Sequence, residues 1–404
     1  MFVLEKSRKL DQVRYDVRGR VAQEAEKLSA QGIEILKLNI GNPANFGFEA
    51  PEHIRHAMME DLSKAVAYSD SKGLLSARIA IADYCRSKDI PNVGVDDIYT
   101  GNGVSELIVM VMQGLLNYGD EILVPAPDYP LWTAAVTLAG GKAVHYMCDE
   151  QAEWNPDIGD IKKKITANTK GIVIINPNNP TGALYPKEVL EQIVAVARQN
   201  SLIIFADEIY DRLVMDGHRH TSIASLAPDL FVITMNGLSK SHIICGFRCG
   251  WMCLSGDKSG VQDYIDGLNL LSSMRLCSNV PSQLVIENAL SAVGETDKSL
   301  LPGGRLYEQR TYITEALNSI PGVSAVKPKA ALYIFPKIDA KRFGITNDEK
   351  FALDFLHDKH VLMVHGTGFN WAEPDHFRIV YLPNIDDLKT ATDGLADFLS
   401  YYRQ

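Results

Sequence analysis

Short apolar runs recur along the first two thirds of the chain and alternate with segments that have helical patterns. The seven runs have the length and composition of buried strands, and they lie at about residues 97–100, 121–126, 142–148, 171–176, 202–207, 231–236 and 250–254. Helical patterns separate several of them, for example Val104 to Leu116 and Lys187 to Gln199. Because such alternation forms crossover units, the sequence predicts an α/β fold with a mostly parallel seven-stranded sheet flanked by helices.

The pattern changes beyond the last of these runs. An amphipathic stretch from Gly260 to Cys277 leads away from the predicted sheet, and a closing helix is expected from Asp386. Between them lie shorter strand candidates, at Val323–Val326, Leu332–Phe335, Val361–Val364 and Phe377–Tyr381. We therefore predict a large domain over residues 45–300, and a smaller α/β domain built from residues 301–404 with an N-terminal arm, residues 1–44.

Charge and composition exclude several classes of partner. The 404 residues carry a formal net charge of −10, which argues against binding to nucleic acid or to an anionic membrane surface. No apolar run approaches the ~20 residues of a membrane-spanning helix, and the N-terminus lacks the apolar core of a signal peptide. The six cysteines are too sparse for a disulfide scaffold, so a cytoplasmic protein is expected. Cys245, Cys249 and Cys253 recur every four residues, but their glycine-containing segment has an extended pattern, and no metal site is predicted.

Two polar residues, Asp207 and Lys240, each follow an apolar run and are separated by 33 positions (240 − 207). The carboxyl ends of parallel strands form the edge of an open sheet at which ligands bind. An acid and a lysine at that edge are what pyridoxal 5′-phosphate (PLP) requires. The lysine forms a Schiff base with it, and the acid keeps the pyridine nitrogen protonated so that the ring accepts electrons.

The motif NPNNPTG, which contains Asn179, follows a further apolar run and adds three more spacings. Asn179 precedes Asp207 by 28 residues (207 − 179), Tyr210 follows Asp207 by three, and Arg248 follows Lys240 by eight. In this order and spacing the sequence resembles the class I aminotransferases, a fold-type I PLP family. The resemblance covers nearly the whole chain, and it implies PLP as the cofactor and the same two-domain plan.

The resemblance also implies roles around the cofactor ring. Lys240 is the catalytic lysine that carries the cofactor, and Asp207 binds its ring nitrogen. Tyr210 and Asn179 hydrogen-bond its phenolic oxygen, which keeps the bound form reactive near neutral pH. Tyr129, just past a predicted strand, matches an aromatic residue that stacks on the ring; a tyrosine in a surface turn is the alternative.

A turn that ends at Gly103 lies between a predicted strand and a predicted helix. Backbone N–H groups and the helix dipole make such a turn a phosphate cradle, and the resemblance assigns phosphate contacts to Gly103, Val104 and Arg248. Many relatives carry a serine three residues before the lysine, but this sequence has Gly237 there. We therefore expect phosphate binding to depend more on Arg248 and on backbone amides.

Tyr68, in YSDSKGL, matches the family pattern Tyr-x4-Gly-Leu. Relatives use this tyrosine on the phosphate of the neighbouring subunit's cofactor. The resemblance therefore implies a homodimer with shared active sites, whereas a loop tyrosine inside its own subunit is the alternative.

The substrate's carboxylates call for arginines, whose planar fork binds a carboxylate at two points. Arg378, in HFRIVYLP, matches the family's arginine for the α-carboxylate, and Gly41 and Asn179 are expected to complete that clamp. Tyr15 and Arg18, in YDVRG, resemble a segment of the bacterial alanine-forming (glutamate–pyruvate) aminotransferases. There Arg18 would pair with the distal carboxylate of glutamate and Tyr15 would cover the methyl pocket, whereas a solvated arm is the alternative for Arg18.

The function that this resemblance implies is reversible PLP-dependent transamination between L-glutamate and pyruvate, which gives L-alanine and 2-oxoglutarate. An aminotransferase of broader specificity, with valine, methionine or aromatic donors, remains an alternative, as does a carbon–sulfur β-lyase. A PLP-binding regulator without turnover usually carries a basic DNA-binding domain, and the chain has neither the length before residue 40 nor the charge for one.

Overall fold

A computed structural model describes residues 4–13, 15–291 and 297–404. In chain order, the strands in these ranges are β1 (Leu36–Lys37), β2 (Ile98–Asn102), β3 (Glu121–Ala126), β4 (Lys142–Asp149), β5 (Asn155–Pro156), β6 (Thr169–Ile175), β7 (Ile203–Asp207), β8 (Phe231–Gly237), β9 (Cys249–Gly256), β10 (Val323–Ser324), β11 (Tyr333–Ile334), β12 (Lys337–Ile338), β13 (Val361–Leu362), β14 (Val364–His365) and β15 (Phe377–Val380).

The α-helices lie between and after these strands. They are α1 (Arg20–Ala30), α2 (Glu52–Asp61), α3 (Leu75–Ser87), α4 (Val104–Leu115), α5 (Leu131–Leu138), α6 (Ile158–Lys164), α7 (Lys187–Gln199), α8 (Gln262–Met274), α9 (Val280–Leu284), α10 (Ile286–Leu290), α11 (Arg305–Ser319), α12 (Ala340–Phe343), α13 (Asp348–Lys359) and α14 (Ile385–Tyr401). None of the helices in the described part of the chain is long and apolar enough to cross a membrane.

One large mixed sheet has the strand order β2-β9-β8-β7-β6-β3-β4-β5. The neighbours from β8 through β4 pair in parallel, whereas β9 runs antiparallel to both β2 and β8. The α/β fold and all seven predicted strands are confirmed. The eighth strand, β5, is a two-residue antiparallel partner of β4, too short to leave a pattern in the sequence.

Both faces of the central strands of this sheet are buried because most of their residues are apolar on both sides. Alternate residues of β6 show the period of two: Ile172 and Ile174 belong to one hydrophobic cluster, and Val173 and Ile175 to another. Helix α7 covers the first face with Leu190, Ile193, Val194 and Ala197, which have helical spacing and are buried in the first cluster. Helices α4, α5 and α8 supply the cover for the second face.

A third hydrophobic cluster joins the two ends of the chain. Helix α1 contributes Val21, Ala25 and Leu28, and most of the remaining members come from residues 300–402. Strand β1 also pairs in parallel with β13, so the N-terminal segment is attached by backbone hydrogen bonds as well as by packing. The division into two domains at residues 45 and 300 stays a prediction.

Candidate active site

A cavity of about 530 Å³ lies at the carboxyl edge of the large sheet. Its walls include most of the predicted site residues, namely Tyr15, Arg18, Gly41, Val104, Tyr129, Asn179, Asp207, Tyr210, Lys240, Arg248 and Arg378. Gly103 directly precedes α4 and lies against Arg248. Tyr68 lies outside the cavity, with 78% of its surface exposed.

Asp207 is the last residue of β7, and its carboxylate is buried. It accepts hydrogen bonds from the Trp132 indole N–H at 3.3 Å and from the Ile209 backbone N–H at 3.4 Å. Burial raises the pKa of Asp207 to about 6, since these two neutral donors only partly offset the loss of water. Within the described ranges no cation forms an ion pair with it, so the carboxylate is suited to a positively charged ligand group.

Lys240 lies three residues beyond the end of β8. Its Nζ donates a hydrogen bond to the Gly41 carbonyl oxygen at 2.6 Å. That contact joins the loop after β8 to the N-terminal segment, and it holds the amine at the wall of the cavity.

Arg378 is a buried residue of β15 with neutral partners only. Its Nη1 donates to Asn179 Oδ1 at 2.9 Å and its Nη2 donates to the Asn39 carbonyl oxygen, whereas its buried Nε has no partner among the residues that the structure describes. The guanidinium lies over the rings of Tyr333 and Phe369, at 4.5 and 4.6 Å from their centroids. Burial lowers the pKa of Arg378, and no carboxylate of the described chain pairs with it. A buried guanidinium of this kind is a receptor for an anion.

An anion cradle forms where α4 begins. Gly103 has φ +80°, and a Cβ there would lie 2.3 Å from Arg248 Nη2, so glycine is required for the approach. Arg248 donates from Nη1 to the Cys245 carbonyl oxygen at 2.8 Å and from Nη2 to the Asn102 carbonyl oxygen at 3.2 Å. The N-terminus of the helix and a fixed guanidinium together suit a phosphate.

Gly237 occupies the position at which many relatives carry serine, and the reason for glycine here is steric. Strands β8 and β9 approach so closely that a Cβ at Gly237 would lie 2.6 Å from the Cys249 carbonyl oxygen. A serine does not fit this pairing, whereas Ser239 does line the cavity.

The N-terminal segment supplies the remaining wall. The hydroxyl oxygens of Tyr15 and Tyr129 are 3.0 Å apart. Their rings pack edge to face, with the ring centroids 6.4 Å apart. Arg18 lines the cavity with an exposed side chain, and it forms no ion pair with any residue that the structure describes.

Two residues that contact predicted site residues were not themselves predicted from the sequence. Trp132 holds Asp207, and Tyr333 contacts Tyr210 with their hydroxyl oxygens 2.9 Å apart. Trp132 lies within the apolar helix α5, where an aromatic residue is typical of a core. Tyr333 lies in a two-residue strand, so neither position carried a recognisable pattern.

A lysine and a buried acid at neighbouring strand ends, beside an anion cradle and a buried arginine, define a fold-type I enzyme site. The chain belongs to the family described as aminotransferase class I and II, whose profile matches residues 33–393.

Individual relatives extend this result. The glutamate-pyruvate aminotransferase AlaA of Escherichia coli (strain K12) is 59% identical over 404 residues, which is 100% of both chains. The alanine aminotransferase of Mycobacterium tuberculosis (strain ATCC 25618 / H37Rv) is 51% identical over 399 residues, covering 98% of this chain and 93% of the relative. A solved alanine aminotransferase from Pyrococcus furiosus has a TM-score of 0.92 at 40% identity, over 98% of this chain and 100% of that one.

PLP is the cofactor of this family, and the side chains described above fit it. Asp207 would hold the ring nitrogen, whose positive charge balances the buried carboxylate. The cradle at Gly103, Val104 and Arg248 would hold the phosphate, and Lys240 is the amine within reach of the same cavity. The predicted cofactor is therefore confirmed.

Proposed function

We propose that this protein transfers an amino group reversibly between L-glutamate and pyruvate, giving 2-oxoglutarate and L-alanine. The relative with 59% identity is named a glutamate-pyruvate aminotransferase, and the relative with 51% identity an alanine aminotransferase. The structural observation that carries the proposal is a cavity lined by Arg378 and Arg18, neither of which has an anionic partner in the described chain. Two separate guanidinium groups suit a dicarboxylic acid, and one of them alone suits alanine or pyruvate.

The residues of the chain have distinct tasks in this reaction. When bound, PLP supplies the sink for the electron pair that remains at the substrate's α-carbon after deprotonation. Lys240 is the base that removes the α-proton and later returns it, since its amine lies in the cavity beside Gly41. Asp207 holds the positive charge of the ring nitrogen, and Tyr210 and Asn179 bind the phenolic oxygen.

The carboxylates of the substrate are assigned to the two arginines. Arg378 binds the α-carboxylate, with Gly41 and Asn179 at its side, and thereby orients the bond to be broken. Arg18 binds the distal carboxylate of glutamate or 2-oxoglutarate, and Tyr15 closes the methyl pocket beside Tyr129. Because only the five-carbon substrates carry a second carboxylate, Arg18 distinguishes them from alanine and pyruvate.

We also propose that the enzyme is a homodimer with shared active sites. Tyr68 and Val66 are exposed by 78% and 89% on a single chain, and Met274 and Leu276 are exposed large apolar residues as well. Ser272 Oγ donates to the Ser71 carbonyl oxygen at 2.7 Å, so α8 and the Tyr68 loop are adjacent. A second copy of the chain would cover this surface.

The remaining parts of the proposal concern domains and compartment. Residues 45–300 form the large PLP-binding domain, and residues 1–44 with 301–404 form the small domain; the hydrophobic cluster shared by α1 and the C-terminal helices supports this division. The six cysteines are free thiols, which supports the reducing cytoplasm as the place of work.

A substrate panel tests the proposal. L-Glutamate with pyruvate should give 2-oxoglutarate and alanine faster than valine, methionine or aromatic donors give their oxo acids, and cystathionine alone should release no pyruvate. Borohydride reduction followed by peptide mapping should label Lys240, and Lys240→Ala serves as the inactive control. A label on another lysine, or turnover that favours another donor, contradicts the proposal.

A further inference from the structure

Tyr333 is a buried side chain in the wall of the cavity, and the proposed reaction does not use it. It lies in β11, which pairs antiparallel with β15, and its direct partner there is Val380. Arg378 is therefore its diagonal neighbour on the same face of the ladder. This register places the phenol ring under the guanidinium, 4.5 Å from the ring centroid.

The hydroxyl of Tyr333 contacts a residue that binds the cofactor. Its oxygen lies 2.9 Å from the hydroxyl oxygen of Tyr210, and the two rings meet edge-on at 5.7 Å and 85°. A neutral phenol has one proton to donate. If Tyr210 donates to Tyr333, Tyr210 has no proton left for a ligand in the cavity; if Tyr333 donates, the proton of Tyr210 is free to point at the ligand.

The surrounding charges decide between these two directions. Burial acts to raise the pKa of Tyr333, but the positive charges of Lys240 and of the Arg378 guanidinium, which lies 4.5 Å from the Tyr333 ring centroid, outweigh it and lower that pKa below its usual value. The Arg378 guanidinium keeps this effect when Lys240 carries the cofactor. Burial raises the pKa of Tyr210 well above its usual value. The more acidic of two hydroxyls is the better donor, so Tyr333 donates and Tyr210 accepts.

A third contact restrains Tyr333 from the other side. A Cβ on Gly41 would lie 2.2 Å from the Tyr333 hydroxyl oxygen, so the N-terminal segment is in contact with this phenol. The carbonyl oxygen of the same Gly41 accepts the hydrogen bond from Lys240. One side chain thus touches the groups assigned to the cofactor oxygen and to the substrate carboxylate, and it lies against the residue that holds the lysine.

We propose that Tyr333 is a positioning residue: its hydroxyl donates to Tyr210, which directs the Tyr210 proton to the phenolic oxygen of the bound cofactor, while its ring supports Arg378. The inference rests on the proposed function, because it presumes bound PLP. It assigns the two halves of the phenol to different tasks, the hydroxyl to the cofactor and the ring to the substrate.

A pH titration of the visible absorbance of the PLP-loaded protein tests the task of the hydroxyl. A donor to the phenolic oxygen withdraws charge from it, so the nearby imine proton is released at lower pH. Tyr333→Phe weakens that donor and should raise the midpoint by roughly half a pH unit. Tyr210→Phe should raise it further, and Tyr210→Phe with Tyr333→Phe should match Tyr210→Phe alone, since Tyr333 acts through Tyr210.

Tyr381→Phe is the matched control. It removes another buried phenol, which donates to the Ala331 carbonyl oxygen at 2.7 Å, and it should leave the midpoint unchanged. An unchanged midpoint in Tyr333→Phe, or a full additional shift on the Tyr210→Phe background, overturns the inference. Failure of the wild-type protein to show a visible PLP band would instead contradict the proposed function.

Steady-state kinetics test the task of the ring. Tyr333→Phe keeps the ring beneath Arg378 and should leave the KM for L-alanine within about twofold, whereas Tyr333→Leu should raise it by roughly fivefold or more. Equal KM values for the two variants overturn this half of the inference. A crystal structure of the PLP-loaded wild-type protein checks the arrangement without any substitution. The Tyr210 hydroxyl should lie within hydrogen-bond distance of both Tyr333 and the cofactor's phenolic oxygen, and the loss of either contact contradicts the inference.

Discussion

Asp207 and Arg378 are buried ionisable side chains whose partners in the described chain are all neutral. The Asp207 carboxylate accepts hydrogen bonds from Trp132 and a backbone N–H, and the Arg378 guanidinium donates to an amide oxygen and a backbone oxygen. Neutral partners fix the geometry of a charge without neutralising it. Each group therefore keeps its full electrostatic effect for a ligand of opposite charge.

Asp207→Asn should keep the hydrogen-bonded geometry and PLP binding but lose the negative charge that holds the ring nitrogen protonated. Turnover should fall about a hundredfold or more, which is ~2.7 kcal/mol of barrier. Single-turnover loss of the L-alanine α-deuterium measures the affected step. Glu208→Gln is the matched control, because burial raises the pKa of Glu208 to about 8 and its carboxyl contacts Ser222 rather than the cavity. Near-normal turnover in Asp207→Asn would contradict its assignment.

Arg18→Ala should weaken L-glutamate and 2-oxoglutarate selectively. A charged hydrogen bond to the distal carboxylate contributes on the order of 1.5–3 kcal/mol, so kcat/KM for these two substrates should fall roughly ten- to a hundredfold. The values for alanine and pyruvate should stay within about twofold, as should all four values in the nearby control Arg20→Ala. A uniform loss over the four substrates would mean that Arg18 only orders the arm.

At the scale of elements, the strand that carries Arg378 begins beside an ionic cluster centred on the buried side chain of His376. His376 Nδ1 lies 2.6 Å from Asp375 Oδ1, and His376 Nε2 lies 3.6 Å from Glu150 Oε1. Lys337 pairs with both acids at 3.4 and 3.5 Å, and the ring of Phe335 stacks on His376 at 5.0 Å. The cluster joins the start of β15 to the segment after β4.

His376→Gln should destabilise the protein more at acidic than at alkaline pH. Burial alone lowers the pKa of His376, but Asp375 and Glu150 outweigh it and raise that pKa above its usual value. A raised folded-state pKa contributes stability below the unfolded value near 6.5, and this is lost as the pH rises through the folded value. The loss of unfolding free energy should be roughly 1.5–3 kcal/mol at pH 5.5 and smaller at pH 9. Thermal midpoints of both proteins at the two pH values measure it, and a pH-independent difference would contradict the ionic role.

Long strands and the residues at their ends could be predicted from the sequence, whereas very short strands could not. Seven strands of the large sheet were predictable because strands such as β6 and β8 contain runs of consecutive apolar residues. Asp207 and Lys240 were predicted from the ends of two such strands. Tyr333 was not predictable because β11 has two residues and acquires its neighbours only through pairing with β15. The same holds for β1, which meets β13 more than three hundred residues later. Local patterns do not encode such long-range pairs.

At the scale of the whole molecule, the cavity is assembled from three distant parts of the chain. Residues from 15–42, from the loops of the large sheet and from 333–378 all line it. Direct bonds connect these parts: Lys240 to Gly41, and Arg378 to Asn39 and Asn179. The loop that carries Tyr68 lies outside all three.

Mixed dimers test whether Tyr68 completes the cavity of a second subunit. Tyr68→Phe should reduce PLP affinity by roughly tenfold through a lost phosphate contact, and Lys240→Ala should be inactive. A mixed dimer of the two variants regains one site with both residues intact, so mixing should restore activity after subunit exchange. Tyr118→Phe, which removes the hydroxyl of a tyrosine that is 98% exposed, is the matched control. It should have normal activity alone, and mixing it with Lys240→Ala should give no gain in activity. No recovery, with exchange confirmed by differently tagged chains, would favour a role of Tyr68 within its own subunit.

The neutral surroundings of Asp207 and Arg378 also bear on how long the protein survives. A buried charge without a counter-charge strains the folded chain, and PLP or a dicarboxylate relieves that strain only in the native state. At a ligand concentration a hundred times Kd, such binding adds ~2.7 kcal/mol to the free energy of unfolding. We therefore expect the half-life of the protein in the cell to depend on the supply of its cofactor. When PLP is scarce, the protein should lose activity and also be degraded faster by proteases.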